Sequence, residues 1–153
     1  MANRSKAKGT AAESAVVAWA RLNGFAMADR QPLRGKLDTG DIGLCPGVVV
    51  ESKCYRLPTG VPTPGQLTIW LAQAETERRN AGARFCPLIV KRPGTTDVGR
   101  WFAYLPLRDW ALLTGAFVPA VLDDRWWMTD VSTLFAVLRS CGYGDPIEEE
   151  IVA

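Results

Sequence analysis

Gly40-Asp41-Ile42-Gly43-Leu44-Cys45-Pro46-Gly47-Val48-Val49-Val50-Glu51-Ser52-Lys53 is the stretch on which the fold is read. Residues 48–50 are a β-branched run, residues 42–44 a shorter apolar run, and Pro46-Gly47 punctuates them, so the segment reads as two strands joined by a tight turn. With the turn centred on Pro46 and Gly47 supplying a positive φ, Asp41 lies opposite Glu51. Directly opposed residues bring their Cβ atoms to about 5 Å. Side chains alternate along a strand, so Glu51 and Lys53 share a face with each other and with Asp41. Two like charges held so close destabilise a sheet unless a cation offsets them. An oxygen-only donor set of this kind suits Mg²⁺, with Mn²⁺ as its substitute. The competing reading is an ordinary solvent-facing Glu51–Lys53 pair on an amphipathic strand, with Asp41 leading into the hairpin.

The rest of the composition narrows the chemistry. The chain has 153 residues and no histidine. His-based acid/base catalysis, His-ligated zinc and the Ser-His-Asp triad are therefore excluded, leaving carboxylates, lysine, cysteine, tyrosine or metal-activated water. The length and the 48% hydrophobic content fit one globular domain with a sizeable core. No apolar run is long enough to span a bilayer and no signal-peptide pattern follows the basic start, so the chain is expected to be soluble and cytoplasmic. Cys45, Cys54, Cys86 and Cys141 form no C-x-x-C pair and read as reduced thiols.

Charge is unevenly spread. Residues 1–36 carry seven Lys/Arg against Glu13 and Asp29, whereas residues 121–153 carry Arg125 and Arg139 against seven acids. Residues 1–9 read as a flexible basic arm, residues 10–144 as the single domain, and residues 145–153 as a solvated acidic tail. Lys6 and Lys8 on the arm, with Arg30, Arg34 and Lys36 before the hairpin, are candidate phosphate contacts, and Arg4 joins the arm. Arg56, in the Pro/Gly-rich loop that leaves the second strand, is another.

Periodicity places a first helix over residues 10–23 with Gly24 as its stop, then a strand over residues 25–31. Thr63-Pro64-Gly65-Gln66 is a strong helix start: Thr63 caps, Pro64 takes the first position and Gln66 closes a capping box. Leu67, Trp70, Leu71 and Ala74 continue it as a core-facing stripe to about Gly82. Gln73 reads as a solvated residue of the same helix. A buried strand follows over residues 84–91, another over residues 100–105, and a helix from Pro106 to about Thr114; Trp126-Trp127 and the stretch 131–138 then read as a last strand or turn and a final helix ending before Gly142. Most of the six tryptophans lie in apolar periodic contexts and read as core anchors. The order helix, strand, hairpin, helix, strand implies an α/β architecture with a mixed central β-sheet flanked by helices.

Lys8-Gly9-Thr10-Ala11-Ala12-Glu13, Asn23-Gly24-Phe25, Arg30, Gly40-Asp41-Ile42 and Glu51-Ser52-Lys53, taken in order and spacing across residues 8–92, resemble the PD-(D/E)XK nuclease superfamily, and within it the archaeal-type and phage Holliday junction resolvases. The resemblance implies a restriction-endonuclease-like core over residues 10–144 and a Mg²⁺-dependent endonuclease acting on branched or double-stranded DNA as a homodimer. Asp41, Glu51, Lys53 and Glu13 would be the catalytic group. Asp41, Glu51, Glu13 and the Ser52 backbone carbonyl would hold the metal. Lys91 and Arg92 match a position where such nucleases place basic groups. Glu13 has a rival role, because Thr10-Ala11-Ala12-Glu13 also satisfies a capping box. Asp38 is a further acidic candidate, although Leu37-Asp38-Thr39-Gly40 reads as a turn. Gly40 stands where the superfamily name implies proline. The same core also serves general, restriction and repair nucleases, and a noncatalytic DNA-binding protein is a third reading.

Overall fold

The computed structural model describes residues 4–32 and 35–151. Six strands form one mixed sheet in sequence order: β1 (Asp29–Arg30), β2 (Ile42–Cys45), β3 (Val48–Lys53), β4 (Leu88–Val90), β5 (Phe102–Pro106) and β6 (Trp126–Asp130). All neighbours are antiparallel except β3 and β4. A parallel pair needs a long crossover, and α2 (Pro64–Ala81) provides it. The remaining helices are α1 (Arg4–Leu22), α3 (Leu107–Thr114), α4 (Val131–Ser140) and α5 (Glu148–Ile151). The architecture is thus α/β with a mixed sheet flanked by helices.

Strand alternation divides the core into two layers. Val48 and Val50 of β3, Ile89 of β4, and Ala103 and Leu105 of β5 face α1 and α4, joining Val16, Ala20, Leu134 and Phe135. Leu88, Val90, Phe102 and Tyr104 face the other way and pack against Leu67 and Trp70 of α2. Because β3 and β4 pair with Glu51 beside Leu88 and Lys53 beside Val90, Glu51 and Lys53 belong to the α2 layer.

The hairpin has the expected register where it matters: Ile42 pairs with Val50 and Gly43 with Val49. A bulge then slips the pairing so that Cys45 meets Val48. Gly47 turns the chain with φ +86°. The start of α2 also matches: the Thr63 hydroxyl accepts from the Gln66 N–H while the Gln66 side chain accepts from the Thr63 N–H.

Three expectations need correction. The first helix begins at Arg4, not Thr10, because Arg4, Lys6, Ala7 and Lys8 are good helix formers and carry the helix through the threonine. Thr10 is therefore interior, no capping box forms there, and residues 4–9 are helix rather than loose arm. The strand over residues 25–31 contracts to Asp29–Arg30, since Phe25 and Ala28 are buried through a turn closed by the Ala28 N–H and the Phe25 carbonyl. The acidic tail is not wholly solvated. Glu150 of α5 accepts from Arg139, whose buried guanidinium also donates to the Asn23 carbonyl. Burying an arginine requires such partners.

The strand over residues 84–91 is laddered regularly over Leu88–Val90 alone, but the Val49 and Glu51 N–H groups reach the Phe85 and Pro87 carbonyls and so extend the pairing. No helix among the described residues is long and apolar enough to cross a membrane.

Candidate active site and nucleic-acid face

The edge of the α2 layer holds a cavity of about 380 Å³ lined by Asp38, Asp41, Glu51, Lys53, Glu77 and Asn80. Asp41 follows Gly40, whose φ of +90° is open to glycine and closed to proline, because a pyrrolidine ring fixes φ near −65°. The Asp41 N–H donates to the Val50 carbonyl, and the Asp41 carboxylate accepts from the Ser52 N–H at 2.8 Å. This hydrogen bond ties the Ser52 backbone to Asp41.

Glu51 is 3% exposed and ion-pairs with Lys53, as strand alternation predicts. Burial, and then the Glu51 charge, pushes the Asp41 carboxyl up to about 7 against the Ser52 hydrogen bond. Burial, and then the facing Glu77 carboxyl, pushes Glu51 up to about 8 despite Lys53. For Lys53, burial opposes the charge, but Glu51 and Asp41 outweigh it and raise the ammonium.

Glu77 is the residue that sequence reasoning missed. It lies three positions beyond Ala74 and seven beyond Trp70, so it continues the buried stripe of α2, and a carboxylate on such a stripe is a readable signal. Burial raises its carboxyl as well. Two carboxylates cannot donate to each other, and both Glu51 Oε2 and Glu77 Oε2 are buried without a hydrogen-bond partner. A shared proton or a bound cation satisfies such a pair.

Among the described residues, no three Asp, Glu or Cys side chains already converge as a ready ligand set. The donor chemistry nevertheless fits a hard divalent cation: carboxylates of Asp41, Glu51 and Glu77, two buried oxygens without partners, and a charge excess that Lys53 only partly offsets.

Glu13 lies apart from this group. It projects from α1, in the opposite layer, and is held by Arg30 at 2.8–2.9 Å. Its charge still reaches Asp41. Arg30 is thereby committed to Glu13. Asp38 lines the cavity while its carboxylate accepts from the Thr39 N–H, the expected turn, and its carbonyl accepts from Asn80. Lys36 and Gln73 stand at the rim, and Gln66 is occupied in the cap.

A second, larger cavity of about 790 Å³ opens where β3 and β4 end. Four expected phosphate contacts meet there: Lys8 from α1, Arg56 from the loop after β3, and Lys91 and Arg92 after β4. No acidic side chain lines it. Lys91 Nζ lies 5.6 Å from the Trp101 ring and Arg92 Cζ 5.2 Å from the Phe102 ring, so aromatic faces hold both cations in place. Lys6 lies on the exposed side of α1, away from both cavities. Arg34 lies outside the described residues. The four cysteines are free thiols, and Cys86 is buried.

The site and fold thus define an α/β protein with a buried carboxylate–lysine cluster beside a cationic cleft. No protein-family model matches the chain, and no curated protein or solved structure matches it either.

Proposed function

We propose that the chain is a Mg²⁺-dependent endodeoxyribonuclease of the PD-(D/E)XK type, acting on branched DNA as a Holliday junction resolvase. The observation that carries the reading is the convergence of Asp41, Glu51 and Lys53 on one face of the hairpin, with Glu77 opposite and two buried carboxylate oxygens without partners. The cationic cleft at the end of the same strand supplies the binding surface that a polyanion needs.

Asp41, Glu51 and Glu77 would hold the cation. When bound, it supplies Lewis-acid polarisation of the scissile phosphate and lowers the pKa of an attacking water. Lys53 is largely buried and fixed by Glu51, so its ammonium is oriented without help from substrate. From there it steadies negative charge developing on the phosphate or orients the water. Lys8, Arg56, Lys91 and Arg92 bind flanking phosphates and set the register of the strand. Resolution of a junction needs two symmetric nicks, so two copies of the chain act together.

The test is nicking of a labelled four-way junction and its matched linear duplex, with Mg²⁺ and with EDTA. Metal-dependent paired cuts confined to the junction are expected. Equal cutting of both substrates identifies a general nuclease on the same site, and binding without cutting replaces the enzymatic reading with a DNA-binding one.

A further inference from the structure

Tyr55 lies just past the end of β3, and the catalytic reading gives this residue no task. Tyr55 follows Lys53 by two positions. It also lines the cationic cleft beside Arg56. The residue is 58% exposed, yet its ring is not loose: the Trp70 ring lies against it at 5.2 Å with a 35° tilt. Trp70 is itself 7% exposed and anchored in the α2 layer with Leu67 and Leu88. One face of an aromatic ring is thus braced by a buried tryptophan while the residue stays open to solvent. Such a ring stacks with little loss of side-chain freedom.

What would lie on it follows from its surroundings. The cleft carries four cations and no acid, so the ligand is a polyanion. The open ring favours a flat, π-faced group attached to that polyanion, which is a nucleobase. Bases inside a duplex are already stacked on both faces and cannot reach a protein ring, so the base must be unpaired. We propose that Tyr55 is a stacking platform for an unpaired nucleobase next to the scissile phosphate, and that it selects DNA with an opened branch point or a single-stranded arm over continuous duplex. The platform rests on the nuclease reading and adds to it the structural feature of DNA that the site recognises.

The experiment measures binding in EDTA, which prevents cutting, by fluorescence anisotropy. The probes are a fork with unpaired arms and a fully paired duplex. Tyr55→Ala is expected to weaken fork binding about tenfold and Tyr55→Phe by no more than about twofold, since the ring rather than the hydroxyl stacks. Duplex binding should be unchanged by either. A second readout uses wild-type protein alone: 2-aminopurine at the first unpaired position of the fork should be quenched on binding. Unquenched 2-aminopurine overturns the platform, as does fork binding by Tyr55→Ala equal to that of wild type, or an equal loss on fork and duplex. If wild-type protein binds neither probe, the nuclease reading falls and takes the platform with it.

Discussion

The carboxylate pocket and the cationic cleft lie at the end of one strand, β3, and differ in how they handle charge. In the pocket, Glu51 is almost wholly buried, and the carboxyls of Asp41, Glu51 and Glu77 are all raised by desolvation. In the cleft, the cations line an open surface, two of them lying over aromatic rings. Charges taken out of water interact strongly and need a compensating ion, whereas charges in an open cleft are hydrated and screened. The pocket should therefore govern chemistry and pH-dependent stability, and the cleft should govern affinity and its salt dependence.

The sharpest way to break this division is at Asp41. Asp41→Asn keeps an acceptor for the Ser52 N–H but removes a ligand charge, and the nicking rate should fall by about 10³-fold or more. Affinity measured in EDTA should not fall with it. Unchanged cutting would show that the pocket is not the reaction site.

The second test is stability against pH in the metal-free protein. Asp41 at about 7 and Glu51 at about 8 lie above their unfolded values, so the folded state keeps its protons longer than the unfolded chain does. The unfolded state then binds fewer protons, and stability falls as pH rises from about 4 to about 8. The two carboxyls together should cost several kcal/mol across that window, with Glu51, the more buried of the two, contributing the larger share. Glu75 does not blur the result. Its hydrogen bonds to Arg78, opposed by burial and reinforced by Arg79, hold its carboxyl down to about 2, so its contribution is lost only as pH falls below about 4.5. Chemical denaturation at pH 5 and pH 8 in EDTA measures the slope, and excess Mg²⁺ should flatten it. A flat profile in EDTA would mean that the pocket is better solvated than its burial implies.

The cleft should respond differently. Arg56→Ala or Lys91→Ala should weaken DNA binding roughly threefold to tenfold and lower the salt slope by about one unit each. Stability should move by less than about 0.5 kcal/mol for Arg56, which is exposed. A pH-dependent stability change in either variant would erase the contrast with the pocket.

How far the sequence revealed this arrangement depends on how local each cause is. The hairpin register was legible because Pro46-Gly47 and the valine run fix it over a few residues, and Asp41, Glu51 and Lys53 came with it. The α2 start was legible because Thr63, Pro64 and Gln66 each have a defined backbone role. The true start of α1 was not, because a threonine that suits a cap loses to the helix-forming residues before it. Glu77 escaped because its importance comes from the crossover that lays α2 against β3, a contact between residues far apart in the chain. The meeting of Lys8 with Arg56, Lys91 and Arg92 is equally nonlocal. Each of these cations could be named from sequence, but only the parallel β3–β4 pairing and the path of α1 bring them to one cleft.

The smallest expected effect probes the wall that the two regions share. α2 carries Glu77 into the carboxylate pocket and Trp70 behind Tyr55 at the cleft. Its first turn is closed by the reciprocal Thr63–Gln66 hydrogen bonds. Thr63→Ala removes one of them and should cost about 1 kcal/mol, a shift of about 3 °C in unfolding midpoint. Because Trp70 lies seven residues from the cap and Glu77 fourteen, fraying of the first turn should loosen the Tyr55 support before it disturbs Glu77. The expected outcome is a small loss of DNA affinity with the nicking rate at saturating DNA unchanged. A matched loss of rate would instead mean that α2 moves as one rigid wall, coupling the two sites.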